Sequence, residues 1–439
     1  MHTNDSTSAA LAADESGGVE RHPSFARVLT AASVGNVLEW YDWGAFAFLV
    51  SYIAANFFPS QDPTAALLST FATFGVGFVA RPVGALAIGW IGDRYGRKVA
   101  LMTTIYLMAA GTVAIAFIPS FNTIGIWAPI LLVTARLLQG LSTGGELGGS
   151  IAFMIEWAPA NRRGFYTSFQ QSSTIAGLLL GSGLAAVLNT LLDSATMADW
   201  GWRLPFIFGG ILLPVGIWMR GTIEETPVYR KAQALTEPAP QASIGAATRM
   251  VLNAIGLGIC WTSCQYLILT YMATYTAKFG GLTQTEALWS NTAGLVVAMA
   301  FTPFWGYLSD RIGRRPLLLV VNVFFMVAGY LAFSFIASMP GLAWILATQC
   351  LLAVFMAIHT GVGPSAIAEI FPTHSRSFLA SMAFALVVTI FGGFSPYIAT
   401  WLIQQTGSAV SPSIMLLLTG LVATATTVFS KETAHLGLK

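Results

Sequence analysis

Apolar residues come in long runs along this chain, separated by charged or Pro/Gly punctuation, and the runs number twelve. They cover residues 28–57, 64–90, 99–118, 124–156, 164–192 and 203–220. After a polar stretch come 248–278, 284–307, 316–337, 341–368, 377–404 and 411–430. A helix that crosses a bilayer needs about 20 mostly apolar residues. Each run meets or approaches that length, and the longer ones imply tilt or protrusion. The pattern predicts an all-α integral membrane protein with twelve transmembrane helices.

Composition removes the main competing class. The 439-residue chain is 55% hydrophobic and only 9% charged. A soluble globular protein carries about 25% charged residues. A soluble fold of this sequence would have too few charges to cover its surface. The net charge of +2 and the lack of any Lys/Arg-rich block argue against a nucleic-acid partner. Residues 1–26 are polar and small, without a basic start and apolar core, so they read as a cytoplasmic tail and not a cleaved signal. Cys260, Cys264 and Cys350 all lie in apolar runs. No His or further Cys stands at metal spacing beside them in the sequence, so they read as small apolar residues, with no metal and no cofactor expected.

Basic residues set the orientation. With the N-terminus inside, 17 of the 21 Lys and Arg residues fall on the inner side. Only Arg203 and Lys278 fall outside, while Arg81 and Arg136 lie within runs. This bias places both termini in the cytoplasm. Residues 221–247 carry Glu224, Glu225, Arg230, Lys231 and Glu237 and divide the runs six and six. They read as a cytoplasmic linker between an N-terminal half (27–220) and a C-terminal half (248–430), with a short cytoplasmic tail at 431–439.

The halves repeat each other. "GWIGDRYGRK" (Gly89–Lys98) and "GYLSDRIGRR" (Gly306–Arg315) share Gly, Asp, Arg, Gly and Arg at an offset of 217. "EWAPANRRGFYTS" (Glu156–Ser168) and "EIFPTHSRSFLAS" (Glu369–Ser381) share Glu, Pro, Arg, Phe and Ser at an offset of 213. Internal repeats of this kind build many transporters, with the substrate site between the repeats near the midplane. Gly89 and Gly306 allow helices to approach closely. Asp93 and Asp310 can accept from a neighbouring helix N-terminus or pair with an arginine. With Arg94, Gly96, Arg97, Arg311, Gly313 and Arg314, they read as a two-copy conformational latch.

These motifs, with "RLLQG" in the fourth run, resemble the major facilitator superfamily. "GNVLEWYDW", "RPVGA", "QGLSTGGELGG", "WGWRLPF" and "EETP" narrow the resemblance to its metabolite:proton symporter family. The resemblance implies the major facilitator fold and carriage of organic acids such as citrate and 2-oxoglutarate, or of zwitterions such as proline and betaine. "IFGGFSPYIATWL" in the eleventh run most resembles the carboxylate carriers. The fifth run has no Gly-Pro pair, unlike the superfamily's proton antiporters, which favours symport. Ala273 stands where related carriers often have proline, which removes one expected hinge in the seventh run.

Ionisable residues at membrane depth are the candidate chemistry, because a charge at the bilayer centre costs about 2.5–3.5 kcal/mol even on the lenient scale. Glu39 and Asp42 are three apart, hence on one helix face. Such carboxylates suit proton loading and unloading, the competing role being an ion pair that holds helices together. Arg81 lies eight residues before Gly89, about 12 Å deeper into the membrane. It can hold a substrate carboxylate by two parallel bonds or pair with the first run. Arg136 resembles the superfamily's fourth-span arginine, linked to proton coupling. Glu146 either titrates or satisfies a helix contact, and Gly140, Gly144 and Gly148 form a smooth strip around it. Gln170 and Gln171 offer donors to a polar solute, or join helices. Tyr266, Tyr271 and His359 are further substrate candidates, although His359 reads first as a satisfied core histidine. The predicted function is proton-coupled uptake of a small di- or tricarboxylate by a monomer in a plasma membrane, a bacterial inner membrane being favoured. The alternative is symport of a zwitterionic compatible solute. No nucleophile constellation or phosphate loop suggests an enzyme.

Overall fold

The computed structural model describes residues 25–439 apart from 96, 145–149, 152–153, 156–157, 222–242, 340, 374, 435 and 437–439. Side chains are also left undescribed at 25–32, 92–93, 97–98, 101, 212–213 and 215–221. Glu146, Gly148 and Gly96 therefore lie outside the described residues, as do the side chains of Asp93 and Arg97 and nearly all of the predicted linker.

Helix occupies each of the twelve predicted runs. The N-terminal half comprises span 1 (Phe25–Phe48, continued by Val50–Phe57), span 2 (Pro63–Tyr95), span 3 (Arg97–Phe117), span 4 (Trp127–Thr143), span 5 (Arg163–Leu191) and span 6 (Leu204–Gly221). The C-terminal half comprises span 7 (Ile244–Cys264, Gln265–Tyr271 and Met272–Phe279), span 8 (Gln284–Ile312), span 9 (Arg314–Ser338), span 10 (Leu342–Ala368), span 11 (Arg376–Val388, Thr389–Gly393 and Ser395–Thr406) and span 12 (Ser413–Phe429). Among the described residues, seven of these helices are long and apolar enough by themselves to cross a membrane.

The outward faces are as apolar as the inward ones. On span 9, Val321, Phe325, Phe333 and Ile336 are buried, whereas Val320, Val323, Val327, Tyr330 and Leu331 are exposed. A helix apolar all round is stable only where its surroundings are apolar too, here lipid on one side and protein on the other.

Close backbone contacts assemble the N-terminal half. A Cβ on Gly140 would stand 1.8 Å from the Gly77 carbonyl oxygen, and one on Gly144 would stand 2.0 Å from that of Arg81. The small-residue strip of span 4 thus lies directly on span 2 and brings Arg81 and Arg136 into one neighbourhood.

Among the described residues, the halves meet where span 5 packs on spans 8 and 10, span 2 on span 11 and span 1 on span 7. Span 5 packs on span 8, where the hydroxyls of Ser182 and Thr292 bond at 2.8 Å. Span 2 packs on span 11 through a proline effect. Pro82 has no N–H to give the carbonyl of Phe78, four residues earlier. The Thr389 hydroxyl of span 11 donates to that oxygen at 2.9 Å. Both Gln265–Tyr271 in span 7 and Thr389–Gly393 in span 11 are π-helical. Such wide turns interrupt the regular ladder and recur at functional sites. Span 7 therefore carries an irregular turn just before Ala273 without a proline.

A buried charge cage between the halves

The centre of the bundle holds two arginines packed on aromatic rings. The guanidinium carbon of Arg136 lies 4.0 Å from the Trp43 ring centre and 4.4 Å from that of Phe46. That of Arg81 lies 4.8 Å from Trp43, 4.3 Å from Phe78 and 5.7 Å from Trp40. The Trp43 indole therefore lies between two cations and attracts both, an interaction worth about 2 kcal/mol or more once desolvated. Span 7 closes the cage: the Tyr266 ring is 5.5 Å from Phe78, 6.2 Å from Phe74 and 6.3 Å from Trp40.

Glu39 and Asp42 are both buried, as the cost of charge in lipid requires, but they serve different arginines. Glu39 is the carboxylate whose charge acts on Arg81. Asp42 belongs to Arg136 through a relay. Arg136 donates to Gln139 Oε1 at 2.8 Å, Gln139 donates to the Thr112 hydroxyl at 2.9 Å, and Thr112 donates to Asp42 Oδ2 at 2.6 Å. Gly209 of span 6 leaves room for the other oxygen, since a Cβ there would stand 2.8 Å from Asp42 Oδ1. Gln139 follows Arg136 by three residues, the ordinary spacing of side-chain neighbours on a helix. That signal was present in "RLLQG", whereas nothing in the sequence singles out Thr112 among the polar residues of span 3.

Several buried polar atoms in the cage have no hydrogen-bond partner: Nε and Nη2 of Arg81, Nε and Nη2 of Arg136, Nε1 of Trp40, the Tyr266 hydroxyl and Oδ1 of Asp42. Each unsatisfied buried group costs about 1–3 kcal/mol, and more when charged. Most of the set are donors, so the cage is matched to a ligand rich in acceptors.

The remaining candidates surround this cage unevenly. Asn36 of span 1 donates to Ser173 at 2.8 Å, Thr174 at 2.9 Å and the Gln170 carbonyl at 3.1 Å, which fixes span 5. Gln171 donates to Gln170 Oε1 at 2.7 Å, leaving Nε2 of Gln170 and Oε1 of Gln171 without partners. Tyr271 stands further along span 7, accepting from Thr400 at 3.0 Å and packing edge-on to Phe71. His359 is elsewhere: it is fully buried inside the C-terminal half, beside Cys260 and Cys264.

The two latch copies differ. In the second, Asp310 accepts from the backbone N–H groups of Gly164 and Phe165 at 2.8 and 2.9 Å, at the N-terminus of span 5. Arg314 holds the same carboxylate at 2.8 Å and Glu369 at 3.2 Å. Gly306 is needed here, because a Cβ would stand 2.7 Å from the Gly164 carbonyl oxygen. Gly313 has φ +102° and leaves room for Glu432. Arg311 points away and lies over the Tyr307 ring. In the first copy, a Cβ on Gly89 would meet nothing within 4 Å among the described residues, and Arg94 lies over Trp90 and Tyr95 at the surface. Among the described residues, no close helix contact is seen at Gly89.

Beyond the cage, a cleft of about 560 Å³ lies at the end of the bundle opposite the latch, between Ala54, Phe58, Leu67, Thr274 and Lys278.

The "Sugar (and other) transporter" family model matches residues 28–245, and that of the "Major Facilitator Superfamily" matches residues 279–436. The chain is 36% identical over 425 residues to the proline/betaine transporter of Escherichia coli (strain K12), covering 94% of this chain and 85% of that one. It is 35% identical over 394 residues to the citrate-proton symporter of Klebsiella pneumoniae, covering 89% of each. A crystal structure of a D-xylose-proton symporter superposes with a TM-score of 0.74 at 19% identity, over 91% of this chain and 97% of that one, a likeness of fold. Twelve helices in two halves, the repeated latch and these relatives lead to one conclusion: the chain belongs to the major facilitator superfamily and, within it, to the metabolite:proton symporter family.

Proposed function

We propose that the protein carries a small organic acid, a di- or tricarboxylate, in symport with protons by alternating access. The observation that carries this is the excess of unpartnered donors around Arg81, Arg136, Trp40 and Tyr266. A carboxylate can take two parallel bonds from a guanidinium, which an alcohol or an amine cannot.

Charge balance supplies the coupling. With Glu39 and Asp42 ionised, the two acids offset the two arginines. Protons on both acids leave two positive charges unbalanced, which a bound dicarboxylate then neutralises. The loaded state carries less net charge through the membrane than either partly loaded state, and charge at that depth is costly. Asp42 and Glu39 are the proton-coupling groups in this account, with Arg136 as the partner of Asp42. Arg81, Tyr266, Gln170 and Gln171 bind substrate, and Tyr271 lines the approach. The halves rock about the cage, and the latch at Asp310 and Arg314 holds the cytoplasmic side shut while protons and substrate enter from outside. The setting is a bacterial inner membrane, with both termini cytoplasmic and the monomer as the working unit.

A zwitterionic compatible solute is the second reading, favoured by the similarity to the proline/betaine transporter. Against it, the Trp43 and Phe78 rings that would receive a solute ammonium already face guanidinium groups. Uptake of labelled citrate, a dicarboxylate and betaine into proteoliposomes separates the two. Gradient-driven uptake of a carboxylate, with excess unlabelled betaine failing to compete, is expected. Betaine uptake without carboxylate uptake overturns the organic-acid assignment.

A further inference from the structure

Cys260, Cys264 and His359 form a cluster that the transport scheme does not use. Cys260 and Cys264 lie one turn apart on span 7 with their sulfurs 3.7 Å apart. His359 comes from span 10, and the three potential ligand atoms lie within 4.8 Å of one another. All three residues are fully buried. Neither Nδ1 nor Nε2 of His359 has a hydrogen-bond partner. Its ring lies nearly parallel to that of Phe325, at 5.9 Å and 18°, which fixes the plane in which the nitrogens lie.

A histidine kept in a membrane interior with both nitrogens unsatisfied is expensive, at about 1–3 kcal/mol for each group. An ordinary core position would be filled at lower cost by an apolar side chain. The geometry points to a site for a thiophilic d10 cation, Zn²⁺ or Cu⁺, bound by the two cysteine sulfurs and one imidazole nitrogen. Zinc–sulfur bonds of about 2.3 Å in tetrahedral geometry place two sulfurs about 3.8 Å apart, so the cysteines already stand at the required separation. Thiolate and imidazole donors are the set such ions prefer. Charge also fits the low dielectric. Zn²⁺ with two thiolates and a neutral imidazole is neutral, two thiol protons being released on binding. Cu⁺ with one thiolate, one thiol and a neutral imidazole is neutral after release of one proton.

Sequence spacing could not reveal the site, since His359 lies three spans after the cysteines and reaches them only through the fold. Its place suggests what the ion does. Cys264 immediately precedes the π-helical turn Gln265–Tyr271 that carries Tyr266 into the cage. An ion tying span 7 to span 10 fixes the base of that turn within one half and leaves the interface between halves free to move.

The test uses the full chain, purified in detergent from cells grown with added zinc and copper. Elemental mass spectrometry should find about one zinc or copper per chain, as expected for a single three-ligand site. Separate loading with Zn²⁺, or with Cu⁺ under reductant, identifies the ion, and X-ray absorption should show sulfur and nitrogen neighbours. C260S/C264S should lose the ion while remaining monodisperse. Should that variant fail to fold, the wild-type chain loaded with Co²⁺ still decides, because thiolate-to-cobalt charge-transfer absorption must appear. Wild-type protein without stoichiometric metal and without that absorption overturns the proposal. So does metal retained in C260S/C264S.

Discussion

Arg136 and Asp42 are linked through two intervening side chains and not by direct contact: Arg136 donates to Gln139, Gln139 to Thr112, and Thr112 to Asp42, in steps of 2.8, 2.9 and 2.6 Å. The relay joins spans 4, 3 and 1, so the charge state of Asp42 is felt by three helices. Thr112→Val should remove the one side-chain donor seen on Asp42 among the described residues and cost about 1–3 kcal/mol. Thermal unfolding should show that loss, and Thr112→Ser should restore it. Equal stability in the valine variant would mean that the relay does not support Asp42.

Arg81 is the predicted substrate anchor. Arg81→Lys keeps the charge but not the planar fork, so apparent affinity for a labelled carboxylate should fall by about tenfold or more, one lost bidentate interaction. Arg81→Gln should fall at least as far. Unchanged affinity in both variants would remove Arg81 from the binding site.

The latch asymmetry gives a paired test. Gly306→Ala places a Cβ 2.7 Å from a carbonyl oxygen, whereas Gly89→Ala places one with no atom of the described residues within 4 Å. Overpacking of this kind costs about 1–3 kcal/mol. Gly306→Ala should therefore lower the unfolding temperature or shift the chain toward the conformation open at the latch, as read by spin-label distances between spans 5 and 8. Gly89→Ala should do neither. Equal effects would contradict the contact described at Gly306.

The spans, the two halves and the buried acids were legible in the sequence, because lipid demands long apolar runs and makes each buried charge conspicuous. The repeats pointed to the latch, but a repeat is symmetric in sequence and a single conformation is not. Only the copy at Asp310 and Arg314 is seen engaged with a helix N-terminus, while the side chain of Asp93 lies outside those described. Glu39 and Asp42 were rightly placed on one helix, yet their separate partners depend on spans 2, 3 and 4. Thr112 and the His359 cluster were out of reach for the same reason: contacts between distant spans leave no mark in local pattern.

The tail after span 12 gives a pH prediction. Glu432 accepts from the backbone N–H groups of Arg314 and Arg315 at the start of span 9, and from those of Thr433 and Ala434. Burial disfavours its charge, but these donors outweigh burial and hold its pKa below the usual carboxylate value. A depressed folded-state value means that its contribution is complete above the ordinary pKa, about 4.3, and is lost only as pH falls through the lower folded value. The distance between labels on the tail and on span 9 should stay constant from about pH 8 to pH 5 and lengthen only in stronger acid. Glu432→Gln should lengthen it at neutral pH. Lengthening of the wild type well above pH 5 would contradict the assignment.

The central claim is that a proton carried at Asp42 drives accumulation of a carboxylate held at Arg81. Proteoliposome uptake of a labelled di- or tricarboxylate with an inward proton gradient tests it most directly, comparing wild type with Asp42→Asn. The account predicts concentrative uptake by the wild type that collapses without the gradient. It predicts that Asp42→Asn still exchanges labelled for unlabelled substrate but no longer concentrates it. Wild-type uptake indifferent to the gradient, or full gradient-driven accumulation by Asp42→Asn, would contradict it.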